Sequence, residues 1–157
     1  MTSSLSASKV QVRALEARDR AQWDVLWAGY LAFYEHALPA EITDYLWRQL
    51  LDPSAQPYGF VAVDGSTGQL VGFVHYHFHL STWSVAGYCY LEDLFVSPSA
   101  RGRGAGRALI DAVYRAADAR GATRVYWHTQ ATNTDARALY DKVAELTEFV
   151  QYRRPGT

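Results

Sequence analysis

The sequence predicts an α/β fold: a mixed, centrally antiparallel sheet flanked by helices on both faces. Three observations carry this. Segments with helical periodicity alternate with β-rich runs in the order β α α β β β α β α β. The three consecutive strands in the middle follow one another through short turns, the arrangement that pairs strands antiparallel. The stretch from Gly87 to Thr129 reads strand, helix, strand, which calls for a parallel, right-handed crossover.

Each element has its own signal. Lys9–Ala14 alternates as a short first strand, after an opening Met1–Ser8 that reads as a loose tail. From Arg18 to Ala37, Trp23, Leu26, Trp27, Tyr30, Leu31 and Tyr34 recur at three- and four-residue spacings, an amphipathic helix stopped by Pro39. A second helix spans Glu41–Leu51, ahead of Pro53. Tyr58–Val63 and Gln69–Leu80 are strands around the turn residues Asp64–Gly68. Gly87–Val96 is another strand, ended by Ser97-Pro98. Gly104–Arg120 is a helix with Leu109, Val113 and Ala117 on one face and Gly121 as its stop. Thr123–Thr129 is a strand, Thr134–Glu145 a short helix and Glu148–Arg153 a last strand.

Composition narrows the function. At 157 residues the chain (1–157) is most simply a single domain. Charged residues at 20% and aromatics at 14% exclude a disordered chain. A net charge of −1 argues against nucleic acid as a partner, because phosphate backbones call for a broad basic surface. No apolar run reaches the roughly 18 residues of a membrane span, and Met1–Ser8 lacks the pattern of a secretory leader. The single cysteine, Cys89, offers neither an internal disulfide nor a thiol cluster for a metal. The expectation is a cytoplasmic domain acting on a small molecule, with no membrane and no metal.

The most informative segment is Arg101-Gly102-Arg103-Gly104-Ala105-Gly106-Arg107, between a strand and a helix. Alternating glycines leave backbone N–H groups unobstructed, the helix N-terminus adds unpaired donors and partial positive charge, and three arginines add full charges. This is an anion site. It is not a dinucleotide fingerprint, since Arg107 stands where G-x-G-x-x-G needs its last glycine. Nor is it a P-loop, since Gly106 is followed by Arg107-Ala108.

The pattern R-x-x-G-x-G from Arg101 to Gly106 resembles the acetyl-CoA pyrophosphate loop of the GCN5-related N-acetyltransferase superfamily, and Asn133–Tyr140 resembles a second signature of that superfamily. Within it, Tyr90-Leu91-Glu92-Asp93-Leu94-Phe95-Val96, together with Trp83, Tyr76-His77-Phe78 and Tyr34-Glu35, resembles the spermidine/spermine (diamine) N-acetyltransferase branch. The chain departs from that branch in two places: His36–Ala40 carries no carboxylate, and Val143-Ala144-Glu145 stands where a Gly-Phe is usual.

The resemblance implies the acyl-CoA N-acyltransferase fold, acetyl-CoA as co-substrate, and a homodimer. It also implies that Leu91–Val96 separates from Thr123–Thr129, so that the pantetheine arm enters the gap like an added strand. Leu94, Phe95 and Val96 would then contribute main-chain contacts while Arg101 to Arg107 hold the pyrophosphate. Acceptor contacts fall on Tyr34, Glu35, His77, Trp83 and Asp93.

Acetyl transfer to an amine needs a base for the alkylammonium and an acid for the departing thiolate. Glu92 is the candidate base, or else a solvent-facing or ion-paired strand residue. Asp93 alternates to the opposite face unless a bulge rotates the pair. Tyr140 is the candidate acid, a phenol still protonated at pH 7, or else a core tyrosine. Asn133, seven residues earlier on the same helix face, either caps the helix or bonds the pantetheine amides. His75, His77 and His79 share one strand face, where exposed or groove-lining imidazoles are favoured over a metal site. The expected reaction is direct transfer of acetyl to a primary amine of a polyamine or amino-acid-like compound. The alternatives are a protein or peptide acetyltransferase and a non-catalytic acetyl-CoA sensor.

Overall fold

In a computed structural model, which describes residues 9–157, five strands form one sheet in the order β1-β2-β3-β4-β5. The expectation of a loose tail at Met1–Ser8 lies outside the described residues. The strands are β1 (Val10–Ala14), β2 (Tyr58–Asp64), β3 (Leu70–Ser81), β4 (Ser84–Val96) and β5 (Val125–Tyr126). The first four pair antiparallel and β5 lies parallel to β4, so the sheet is mixed with an antiparallel middle.

The helices are α1 (Arg20–Phe33), α2 (Ala40–Leu51), α3 (Ala105–Arg120) and α4 (Thr134–Val143). Alternation along the strands splits the core in two. Phe73 and Val61 face α1 and α2, where Trp23, Leu26, Trp27 and Trp47 close a buried aromatic cluster. Val74, Tyr76 and Leu91 face α3, whose Leu109, Ile110, Val113 and Ala117 are buried, with Leu139, Tyr140 and Val143 of α4 packed alongside. Helices therefore cover both faces, as expected.

Besides shifts of a few residues at element ends, three differences from the expectation matter. The first helix stops at Phe33, not Ala37. Glu35 adopts a left-handed φ of 52°, and the Glu35 and His36 N–H groups donate to the Ala32 and Leu31 carbonyls at 3.0 and 2.9 Å. This is a helix-ending motif that glycine usually supplies, and Pro39 instead opens α2. The strand expected over Thr123–Thr129 is only two residues long, because its ladder with β4 ends at Tyr90 and Tyr126. The strand expected at Glu148–Arg153 is absent. Among the described residues no strand pairs with that segment, and Phe149, Val150 and Tyr152 are exposed.

Candidate active site

The site is organised by a defect in the β3–β4 ladder. His75 lies opposite Asp93 and Tyr76 opposite Leu91, so Glu92 is one residue too many and bulges out of register. Regular alternation would send Leu91 and Asp93 to the same face. The bulge instead keeps Leu91 in the α3 core and turns Asp93 toward α1, with Glu92 protruding between them. The simple alternation read from sequence is thus corrected, and the distortion allowed for in this strand is present.

The two carboxylates occupy different environments. Glu92 is about half exposed, with its Oε1 3.4 Å from His77 Nε2. An open groove of about 300 Å³ is lined by Gln56, Pro57, His77, Phe78 and Glu92. Asp93 is only 15% exposed and meets His75 Nδ1 at 2.9 Å. Tyr30 and Tyr34 reach it from α1. Burial, then the Asp93 charge and a hydrogen bond to Asp93, push the Tyr30 hydroxyl far above its ordinary range. Burial and the Asp93 charge also raise Tyr34, against a hydrogen bond with Thr129 that lowers it.

Tyr34 bridges the gap between strands. Its Thr129 partner lies just past β5, and Tyr34 also acts on Tyr140 across that gap. Burial first and Tyr34 second push the Tyr140 phenol up to about 12, which keeps it a proton donor throughout the neutral range. Its ring rests edge-on against Trp127. Asn133 stands at the N-cap position of α4, yet its side chain caps nothing there and donates to Thr129 Oγ1 at 3.1 Å. The capping alternative is therefore corrected: capping needs Oδ1 to accept from the first-turn N–H groups, and the bond from Nδ2 to Thr129 holds the amide away from them.

Beyond Tyr90, β4 keeps β3 on one edge only. Leu94, Phe95 and Val96 pair with Val74, Phe73 and Gly72, and no ladder with β5 accompanies them. The bend that a bulge imposes accounts for this separation. At the end of β4 a 3₁₀ turn, Pro98–Ala100, leads into the glycine loop. Gly102 and Gly104 both take left-handed backbone, at φ 82° and 79°, which fits glycine and few other residues. Gly104 is the N-cap of α3 and offers no side chain to cap it, so the N–H groups of Ala105, Gly106 and Arg107 in the first turn have no intrahelical acceptor. Arg101 and Arg107 are exposed, whereas the Arg103 guanidinium donates to Asp64 at 3.0 Å.

Not every expected residue joins this cluster. Trp83 sits at the β3–β4 turn, 85% exposed and nine residues from Glu92, on the order of 30 Å along an extended strand. Glu35 is adjacent to Tyr34 but exposed in the loop after α1. His75, His77 and His79 have separate partners (Asp93, Glu92 and Tyr126), and no group of three His, Cys, Asp or Glu capable of holding a metal occurs among the described residues. Burial raises the Cys89 thiol to about 11, which leaves it a poor nucleophile. Conversely, nothing in the sequence marks Thr129 as a site residue. Trp23 and Tyr30 share the helix face of Tyr34, which reads as core, interface or lining of an amine pocket, and His75, expected exposed or lining a groove, is instead buried between Trp23 and Asp93.

Comparison with known proteins places this arrangement. The family model described as the acetyltransferase (GNAT) family matches residues 20–144. A D-amino-acid N-acetyltransferase of Saccharomyces cerevisiae is 39% identical over 148 residues, covering 94% of this chain and 92% of its own. An aminoglycoside N(6')-acetyltransferase of Klebsiella aerogenes is 33% identical over 152 residues, covering 90% of this chain and 92% of its own. Among solved structures, an aminoglycoside N-acetyltransferase in complex with CoA has the same fold. Its TM-score is 0.80 at 22% identity, covering 97% of this chain and 98% of that one. A matched family model over most of the chain and a relative at this identity make the chain a member of the acetyltransferase (GNAT) family, and an N-acetyltransferase.

Proposed function

We propose that the protein transfers acetyl from acetyl-CoA to the primary amine of a small, amino-acid-like molecule. The observation that carries this reading is the end of the β4–β5 ladder at Tyr90, directly before the bulge that presents Glu92 and Asp93. The free edge at Leu94–Val96 suits the amides of a pantetheine arm, and the uncapped first turn of α3 with Arg101 and Arg107 suits a pyrophosphate.

In the reaction, the amine lone pair attacks the thioester carbonyl carbon and the carbon–sulfur bond breaks. Glu92, directly or through water, takes the proton that the ammonium must lose. Tyr140 gives its proton to the leaving thiolate, and the second proton, shed by the nitrogen once it is acylated, returns through solvent to Tyr140. An amino-acid-like acceptor is favoured over a polyamine. His36–Ala40 holds no carboxylate to meet a second ammonium, and the yeast relative is named for D-amino acids.

The test is a thiol-release assay with acetyl-CoA and a panel of D- and L-amino acids, polyamines and peptides. Turnover is expected to be fastest with free amino acids. Preference for spermidine, or for peptide amines, overturns the acceptor assignment. Tight acetyl-CoA binding with no turnover of any amine overturns the catalytic reading.

A further inference from the structure

His75 is 1% exposed and lies outside the chemistry described so far. Both of its ring nitrogens are engaged. Trp23 Nε1 is 3.2 Å from His75 Nε2, and an indole N–H only donates, so Nε2 must accept. The proton of the neutral ring therefore sits on Nδ1, where it donates to Asp93 Oδ2 at 2.9 Å. Packing fixes the ring in this pose. Phe73 stacks on it at 4.6 Å between centroids, with Trp27 at 5.4 Å and Trp23 at 5.9 Å.

Asp93 is thereby supported by neutral donors. Its sole ion-pair contact among the described residues is His75, and no arginine or lysine reaches it. The groups facing it are His75 from β3, Tyr30 and Tyr34 from α1, and its neighbour Glu92 on β4. A nearly buried carboxylate with hydrogen bonds but no cation is costly in isolation, and it is well suited to a cation that arrives with the substrate.

We infer that His75 is a positioning residue for acetyl transfer: the Trp23–His75–Asp93 chain holds the Asp93 carboxylate in place and aims it at the acceptor's ammonium group. This rests on the proposed amine acceptor. Removing the Nδ1 donor leaves the carboxylate without the hydrogen bond that fixes its direction, so it loses much of its hold on a cation.

Three variants test it: His75→Leu, which removes both bonds; His75→Asn, whose amide keeps a donor near the Nδ1 position; and Trp23→Phe, which removes the indole donor alone. Each is compared with the parent protein for kcat and KM on an accepted amine, for CoA affinity and for melting temperature. His75→Leu is expected to lower kcat/KM roughly ten- to hundredfold, as loss of a hydrogen bond to a charged group does. It should do so mainly through amine KM, with CoA affinity retained. His75→Asn should recover most of the loss.

Equal losses in His75→Leu and His75→Asn, following melting temperature and with amine KM unmoved, overturn the inference while leaving the acceptor assignment standing. If the variants do not fold, ¹⁵N spectra of the histidine-labelled parent decide. His75 must show the Nδ1–H tautomer and respond to Asp93→Asn, and an Nε2–H tautomer overturns the inference. If the parent acetylates no amine, the proposed function fails and this inference fails with it.

Discussion

The Arg103 guanidinium lies 3.0 Å from the Asp64 carboxylate, joining the glycine loop before α3 to the end of β2. Asp64 also accepts from the Ser66 N–H and hydroxyl at 2.9 Å each, so the loop is tied to a turn that is itself closed. Arg103 therefore serves the shape of the loop. Arg103→Met and Asp64→Asn should each cost about 1–2 kcal/mol, and the double variant no more than the worse single one. Calorimetric melting checks this coupling. In the same preparations, CoA affinity should fall further in Arg107→Met, which removes an exposed cation, than in Arg103→Met.

Tyr140 is partly buried, and that burial pushes its phenol up to about 12. The acid therefore stays protonated through the working range, and no basic limb below about pH 11 should trace to it. Tyr140→Phe should lower kcat about 10²- to 10³-fold with CoA affinity changed less than twofold. Turnover at the parental rate removes Tyr140 as the acid.

Glu92, half exposed on its bulge beside His77, is the carboxylate placed to take a proton. Glu92→Gln should depress the rate most at low pH, where the largest share of amine is protonated. A profile parallel to the parent's across pH 6–9 assigns the proton to another group.

Glu35 holds a left-handed conformation at the end of α1, which costs a non-glycine residue about 1 kcal/mol. Glu35→Gly should raise stability by about 0.5–1 kcal/mol in denaturant melts, since relief of strain exceeds the glycine's added entropy in the unfolded chain. If Glu35 meets the acceptor, KM for the amine should rise in the same variant. Unchanged KM confines Glu35 to its backbone role.

Asp19 accepts from Arg13 Nη1 and Nη2 at 2.8 and 2.9 Å and from the Glu16 N–H at 2.8 Å, and the Arg13 bonds hold its carboxyl below the usual range. A carboxylate lowered in the folded state adds stability that is complete above its unfolded pKa, about 3.9, and lost as pH falls through the folded value. Asp19→Asn should therefore cost about 2 kcal/mol at pH 7. The melting difference from the parent should close as pH falls below about 4. A difference that persists at pH 2 assigns the effect to shape instead of charge.

Much of this was legible in the letters because it rests on local rules. The spacing of Trp23, Leu26, Trp27 and Tyr30 fixes a helix face whatever it packs against. Gly102 and Gly104 announce a left-handed turn at a helix start because few other residues tolerate one. The motifs at Arg101–Gly106 and Asn133–Tyr140 could therefore be placed on a loop and a helix before any packing was known. The early stop of α1 at Glu35 was illegible for the same reason, since that residue gives no local sign of taking a glycine's conformation.

What depended on the assembled sheet was register. One inserted residue in β4 decides that Asp93 turns to the aromatic core and Glu92 to the groove, and a register shift is a property of two strands together. The same holds for β5, which is short because β4 bends away from it, and for the unpaired chain after α4. It holds most for His75. Its alternation with His77 and His79 reads as a plain strand face, and only Trp23, 52 residues earlier, and Asp93, 18 residues later, settle which nitrogen carries its proton. Side-chain periodicity is a local property of the chain, whereas the state of a buried polar group is set by partners that only folding brings within hydrogen-bonding distance.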